Sequence, residues 1–377
     1  MDFDLGKEQV MLQNSARDFL KKECPKELVR EMMDDEKGYG PKLWQKMTDL
    51  GWQGLVIPEE YGGIGSGFLD LVVLLEEMGR ALVPGPFVPT VVYGGRMIQS
   101  AGTQEQKQKF LPAIADGEMI MTLALMESAG SFDPAGISTT AKASGENFII
   151  NGSKMFVPDA HVADCLICVA RTKEGAGADG ISLFLVDSKT EGIQVEPLTT
   201  MTGEKTCEVI FSNVSVPKEN LLGPLDGGWP IVQEMLDEAI IAESAWMMGG
   251  ARWTLEESVA YAKERVQFGV PIGTFQAIQH KLANVAVEVE GATSIVYYAA
   301  WAIDENDANK AVAASAAKAW CSDMYTRAAM EGIQVHGGMG FTWEHDMHLF
   351  LKNAKSSQVT FGDGNYHRER IAQLLEI

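Results

Sequence analysis

Four long stretches in the second half of the chain carry apolar residues at helical period, and they limit the possible folds more than any other feature. They run over Ile231–Lys263, Phe275–Asp304, Ala308–Gly332 and Asp346–Lys352. Spacings of three and four residues place each apolar set on one helix face. Helices of about 25 residues are long for a globular protein. Several in succession bury their stripes best as an antiparallel bundle. Residues 228–377 are therefore expected to form a C-terminal helical bundle.

The rest of the chain divides by texture. From Leu5 to about Gly117 the period is again helical: Val10, Leu12, Ala16, Phe19 and Leu20 recur at that spacing, as do Leu71, Val72, Leu75 and Met78. Clusters such as Pro58-Glu59-Glu60-Tyr61-Gly62-Gly63 and Pro84-Gly85-Pro86 punctuate these helices. From Met121 to about Pro217 strand-like runs replace them, at Phe148–Lys154, Cys165–Ala170, Ile181–Val186 and Glu208–Phe211. Within the first of these, Asn151-Gly152 reads as a hairpin turn. The expected class is α+β, mainly α: a helical domain over 1–120, a small β-barrel or sandwich over 121–227, then the bundle.

Charge and composition exclude several functions. With a net charge of −21 and no basic stripe, the chain is not expected to bind nucleic acid or an anionic membrane. No run approaches the roughly 18 apolar residues of a membrane span. Met1 to Glu8 lack the basic-then-apolar pattern of a secretory signal. The five scattered cysteines, an odd number, suit free thiols in a reducing compartment, so a cytoplasmic location is expected. Cys165-x-x-Cys168 lies inside an apolar run with no second pair, so it reads as part of a buried strand rather than a zinc site. His345-x-x-His348 reads as a polar helix start, and no metal is expected.

Several motifs carry chemistry. Arg265-x-x-Phe268-Gly269, Phe275-Gln276-Ala277-Ile278, Gln334-Val335-His336-Gly337-Gly338 and the stretch Gln358 to Arg368 follow one another in fixed order. In that order and spacing the chain resembles the acyl-CoA dehydrogenase family. The resemblance implies FAD, since no side chain accepts a hydride. A nicotinamide fold has no G-x-G-x-x-G to support it. By the same resemblance, Arg265 reaches the pyrophosphate of FAD in a neighbouring subunit, a role that suits a guanidinium. Phe268, Phe275, Gln276 and Ile278 add contacts from the same arm. Gln334, Gly337 and Gly338 border the adenine-nucleotide end, and Asn365 is a further contact. At the flavin ring, Met126 and the Phe156-Val157-Pro158 segment stand where relatives have a Thr-Glu-Pro stretch and a Trp-Ile-Thr/Ser wall. An aromatic wall is retained there, but its hydroxyl donor is replaced by Pro158, with backbone amides around Leu125–Glu127 and Asp159–Ala160 as substitutes.

The catalytic base departs from the common pattern. Many members end in Tyr-Glu-Gly-Thr, whose Glu takes the substrate α-proton. Here Gly362 matches that Gly and Arg368 a later Arg, so Phe361 occupies the Glu position. Other members carry the base on the first bundle helix, where this chain has Ala239 and Ile240. Glu243 lies one turn on, sharing a face with Ala239 among apolar neighbours. Burial there favours its protonated form and suits a general base. Asp363, two residues from the usual Glu, is the second candidate, followed by Glu127 and Asp133.

The reaction implied is oxidation of an acyl-CoA to its 2,3-enoyl-CoA, with electron-transfer flavoprotein as acceptor. The F-G-D-x-x-Y-H-R ending resembles a branch acting on bulky, cyclic, aromatic-substituted or dicarboxylic acyl groups. Met201, Met247, Met248 and Met339 offer adaptable apolar walls. The assembly is expected to be a homotetramer or homodimer. Several alternatives stay open: an α2β2 heteromer, a base-lacking subunit beside a different chain, a flavin oxidase or monooxygenase, and a catalytically silent subunit or scaffold that retains FAD.

Overall fold

The structure is a computed structural model that describes residues 4–377, so the signal reading at Met1–Phe3 lies outside the described residues. Before the sheet come helices α1 (Lys7–Glu23), α2 (Lys26–Asp34), α3 (Pro41–Asp49), α4 (Phe68–Ala81), α5 (Met97–Ala101) and α6 (Gln104–Ala115). After it come α7 (Trp229–Glu264), α8 (Gln276–Asp304), α9 (Lys310–His336), α10 (Met347–Val359) and α11 (Gly364–Leu374). The strands between are β1 (Met121–Ala124), β2 (Thr140–Ser144), β3 (Asn147–Pro158), β4 (Cys165–Arg171), β5 (Ile181–Asp187), β6 (Ile193–Leu198), β7 (Thr206–Pro217) and β8 (Leu221–Leu222). A small hairpin, β9 (Val266–Gln267) and β10 (Val270–Pro271), follows α7. The expected class, helices then sheet then helical bundle, is the observed one. Among the described residues no helix is long and apolar enough to cross a membrane.

Two compact units emerge. One takes the chain up to Arg30, Gly67–Val83 and Ile240–Ile377; the other takes Glu31–Ser66 and Pro84–Ala239. In the helical unit α9 packs against α8, α10 and α11. It can do so on several sides because alanines line it all round: Ala313, Ala314, Ala317, Ala319, Ala328 and Ala329 are all buried. This helix runs four residues past its expected end at Gly332. Gly332 faces Thr254 and Met347 Sδ, 2.6 and 2.7 Å from where a Cβ would stand, so it serves close packing rather than termination. Likewise α10 extends to Val359, seven residues beyond Lys352.

Helices α4 and α7 approach still more closely. A Cβ on Gly249 would sit 1.8 Å from the Glu76 carbonyl oxygen, and one on Gly79 would sit 2.2 Å from that of Trp246. The crossing also buries two adjacent carboxylates, each held by cations. Glu76 accepts from Arg252 at 2.9 Å and from the Tyr297 hydroxyl at 2.7 Å, while Glu77 pairs with Arg17 at 2.6 Å. Along α1, Ala16 and Leu20 are buried, but Val10, expected on the same stripe, is 41 % exposed.

In the second unit the sheet order is β6-β7-β3-β2-β4-β5-β8, with β1 joined in parallel to β4. Strand β4 is buried along its whole length, because neighbours flank it on both edges and its two faces are covered. That explains the all-apolar run holding Cys165 and Cys168, which are buried free thiols. The Asn151-Gly152 expectation is corrected. No turn forms there; β3 continues, and its register against β7 shifts between Ile150 and Gly152. Gly152 adopts φ 147, with Thr139 Cα 2.7 Å from its would-be Cβ, so the glycine marks a bulge pressed on a neighbouring backbone. The hairpin closes upstream at Gly145-Glu146, where β2 pairs with β3.

Candidate functional site

In the helical unit, α7 ends at Glu264 and the chain doubles back through the β9–β10 hairpin. Its two-residue loop is Phe268-Gly269, with φ values of 53 and 83, the mirror-image turn that matches strand twist. A phenylalanine is costly at that position, yet its ring is 92 % exposed and meets the Phe275 ring edge-on at 6.1 Å. Arg265 and Gln276 flank this arm and are exposed; Ile278 is half-buried. The Arg265 guanidinium makes no ion pair among the described residues. The arm thus presents a cation without an ion pair among the described residues and an exposed aromatic tip.

Where α9 ends, Gln334, Gly337 and Gly338 are exposed. Nothing lies within 4 Å of a Cβ on either glycine, so the main chain there is open to close approach by a ligand. These donors suit a phosphate- and adenine-bearing group such as FAD: a free guanidinium, a free carboxamide and bare backbone. The geometry therefore fits the cofactor implied by the sequence.

Glu243 is half-buried on α7 between buried Ala242 and Ser244. Its charge acts on the Lys318 ammonium, as does that of Asp363. Lys318 is fully buried, and desolvation pulls it down to about 8. Its Nζ donates to the carbonyls of Ser357 at 2.9 Å, Gln358 at 3.2 Å and Gly362 at 2.9 Å, and to Ser322 Oγ at 3.1 Å. One buried ammonium thus holds the Phe361–Gly362 turn by its hydrogen bonds and feels the charge of Glu243.

Asp363 is occupied differently. Its Oδ1 caps α11, accepting from the Asn365 and Tyr366 amides at 3.0 and 2.9 Å. Asn365 is exposed, and its Oδ1 accepts from Arg368 at 3.2 Å. Arg368 also pairs with Asp323. Of the methionines, Met247 and Met248 are buried in α7 packing, whereas Met339 and Met201, the latter in the other unit, are exposed. His345 Nδ1 accepts from the Met347 amide, and His348 Nε2 donates to the Trp343 carbonyl, so both shape the entry to α10.

In the sheet unit the two segments expected at the flavin ring lie side by side. The Met155 amide donates to the Met126 carbonyl at 2.8 Å, and Thr122 Oγ1 to that of Pro158 at 2.7 Å. Phe156 has φ 54 and is 55 % exposed, presenting its ring outward.

Below that wall, Glu127 receives Lys154 at 2.7 Å, the amides of Ser138 and Thr139 at 2.9 and 3.0 Å, and the Ser138 hydroxyl. Burial pushes the Glu127 carboxyl up, but Lys154 and these donors outweigh it and hold it at about 2. A carboxylate so firmly ionised and fully bonded is a poor proton acceptor, so Glu127 serves to fix Met126. Asp133 is exposed. Next to the wall, Asp159 is buried with φ 51, and burial pushes its carboxyl up to about 7. The sequence offered Asp159 only through its backbone amide, and Lys318 not at all. The signal for Lys318 was a lone lysine inside an alanine-rich helical run.

The Glu127–Lys154 pair yields a stability prediction. A carboxyl depressed from 4.5 to about 2 stabilises the fold above 4.5, and that contribution is lost as pH falls towards 2. Lys154→Met should cost about 3 kcal/mol at neutral pH by leaving a buried carboxylate short of its cation. The loss on acidification should then shrink or reverse. Denaturant midpoints at pH 3 and pH 6 for both proteins measure this.

Comparisons with known proteins identify the family. The acyl-CoA dehydrogenase N-terminal, middle and C-terminal domain models match residues 6–118, 122–214 and 226–375. A probable acyl-CoA dehydrogenase of Bacillus subtilis is 36 % identical over 381 aligned positions, covering 100 % of both chains. The CarC subunit of the caffeyl-CoA reductase–Etf complex of Acetobacterium woodii is 33 % identical, covering 97 % of both. The three-dimensional structure of butyryl-CoA dehydrogenase from Megasphaera elsdenii superposes with a TM-score of 0.92 at 31 % identity, covering 100 % of both chains. The chain belongs to the acyl-CoA dehydrogenase family, FAD-dependent flavoproteins that act as oxidoreductases on acyl-CoA.

Proposed function

We propose that this protein oxidises an acyl-CoA thioester to the 2,3-enoyl-CoA with Glu243 as the base. The observation that carries this reading is the state of the carboxylates. Glu127 is locked by four donors and Asp363 caps a helix, whereas Glu243 sits half-buried on α7 with its charge acting on Lys318, whose ammonium bonds the Gly362 carbonyl. The Glu243 carboxylate takes the α-proton. The β-hydrogen leaves as hydride, and a C=C bond forms between the two carbons. FAD, when bound, supplies the hydride acceptor. The residues proposed to contact it are Arg265, Phe268, Phe275, Gln276, Ile278, Gln334, Gly337, Gly338 and Asn365 and, separately, Met126, Phe156 and Pro158.

The exposed Arg265 arm supports a role across a subunit interface, in a homotetramer or homodimer. Electron-transfer flavoprotein is the proposed acceptor, supported by the relative that is a subunit of an Etf complex. The family's bulky-acyl branch supplies the substrate class, through the F-G-D-x-x-Y-H-R ending. Five buried free thiols support a reducing compartment such as the cytoplasm.

The test is anaerobic mixing of the yellow protein with a panel of acyl-CoAs. Bleaching of the flavin with formation of an enoyl-CoA, followed by reoxidation by electron-transfer flavoprotein, is expected. Reoxidation by O2 alone would instead favour an oxidase. Failure of every thioester unless a second chain is added would indicate a heteromer. Separately, Arg265→Ala should weaken FAD retention about tenfold or more, the loss of a charge-assisted hydrogen bond. The ratio of protein to flavin absorbance after gel filtration reads it out.

A further inference from the structure

Three of the chain's six histidines meet where α9 gives way to α10, around residues 337–346. The His336 ring contacts that of Tyr261, stacked at 4.3 Å, and that of His345 at 4.7 Å. The His348 ring stacks on Trp343 at 5.0 Å. None of the three takes part in the chemistry proposed at Glu243.

The hydrogen bonds favour the neutral form of these rings. His345 Nδ1 accepts from the amide of Met347, the first residue of α10, at 3.1 Å, so a proton on that nitrogen breaks the bond. His348 Nε2 donates to the Trp343 carbonyl at 3.2 Å, while its buried Nδ1 has no partner among the described residues. A proton on that nitrogen would find no acceptor. His336 Nδ1 donates to the Gly332 carbonyl at 2.7 Å, which leaves Nε2 to take a proton.

The surrounding charges are divided. Glu257 of α7 favours a proton on His336, and Asp346 favours one on His345 and His348. Asp346 is already paired with Arg30 of α2 at 2.6 Å. Arg30 opposes a charge on His345 and His348, Lys352 opposes one on His348, and the histidines oppose one another. His345 and His348 also stand at the N-terminus of α10, where the helix dipole disfavours a cation. Burial is the largest influence on all three and, with these cations, holds them below the ordinary 6.5.

We propose that these histidines form an acid-sensitive latch, in which protonation of His345 and His348 releases residues 337–346 from the start of α10 and opens them to solvent. The closed latch binds fewer protons than the open one, so its stability is complete above 6.5 and is lost as pH falls below that value. A histidine kept neutral only in the closed form raises the opening constant about tenfold at one pH unit below 6.5. Gly337 and Gly338 begin the segment. On the reading that they border the adenine end of FAD, opening also loosens the cofactor.

Hydrogen–deuterium exchange of the holoenzyme at pH 7.5 and pH 5.5, on either side of the ordinary histidine value, tests the latch, with free-flavin fluorescence read in parallel. After correction for intrinsic exchange, peptides covering residues 338–347 should exchange at least about tenfold faster at the lower pH, with residues 313–329 of α9 unchanged. His345→Asn keeps an oxygen acceptor for the Met347 amide but cannot titrate, and should cut that rise at least about threefold. His348→Gln, whose carboxamide still donates to Trp343, should do the same. A wild-type rise under about twofold, a rise shared by α9, or an undiminished rise in both variants overturns the proposal. If His345→Asn opens the segment already at the higher pH, His348→Gln decides; opening in both assigns the histidines a structural role only and overturns the latch. Flavin fluorescence separates the latch from the cofactor reading. Opening with FAD retained keeps the latch and removes Gly337 and Gly338 from the cofactor, whereas flavin released while the segment stays protected overturns the latch.

Discussion

Replacing Glu243 with glutamine is expected to slow flavin bleaching by a factor on the order of 10² to 10⁴, the usual contribution of a positioned general base, while FAD stays bound. Glutamine keeps the size and one hydrogen-bonding oxygen, so the packing of α7 against its neighbours is preserved. What it cannot do is accept the α-proton. Asp363→Asn should behave oppositely. Its oxygen still accepts from the Asn365 and Tyr366 amides, so α11 loses only part of its cap and the rate should fall by less than about threefold, within the few tenths to 1 kcal/mol of a weakened cap. The contrast between the two variants is informative because the sequence alone leaves both carboxylates open. Only the folded chain shows one spent on a helix terminus and the other acting through its charge on Lys318.

The second large effect is on stability. Gly249→Ala should destabilise the protein by at least about 3 kcal/mol and lower Tm by roughly 5 °C or more. In an open helix the change would be favourable, since alanine is better than glycine by about 1 kcal/mol in a helix interior. Here the added methyl meets the Glu76 carbonyl oxygen at 1.8 Å. Restoring ordinary contact requires α4 and α7 to separate by about 1.5 Å. That movement would drag Glu76 from Arg252 and Tyr297, so the buried carboxylate loses its partners as well. Gly79→Ala meets Trp246 O at 2.2 Å and should follow the same course. Calorimetry of both variants measures the effect; a cost under 1 kcal/mol would mean that the crossing yields without strain.

Where periodicity dominates, the sequence was sufficient. The long bundle helices, the buried β4 run and the order of helices, sheet and bundle follow from which residues are apolar and how they repeat. Local signals failed where a distant neighbour decides. Asn151-Gly152 looks like a turn because both residues tolerate unusual backbone angles, but Thr139 pressing on Gly152 makes it a bulge. Gly332 looks like a helix end, yet it is a gap filled by Thr254 and Met347.

The candidate site divides in the same way. Arg265, Gln334 and the glycines at 337 and 338 were legible as motif positions, and each proves exposed with its donors or backbone open. The role of Lys318 was not legible, because its acceptors are main-chain carbonyls of residues about 40 positions later. No side-chain pattern encodes such partners. Glu127, a lower-ranked candidate in the sequence, drops out once its four donors are placed around it.

The most direct measurement of the central claim follows the α-hydrogen itself. The protein is incubated in D2O with an acyl-CoA that bleaches it, and deuterium entering the α-carbon of recovered thioester is measured by mass spectrometry. Wild type and Asp363→Asn should both exchange, and Glu243→Gln should be slower by at least a hundredfold, the lower end expected for loss of a general base. Exchange at the wild-type rate in Glu243→Gln, with FAD still bound, would contradict the account and place the base elsewhere.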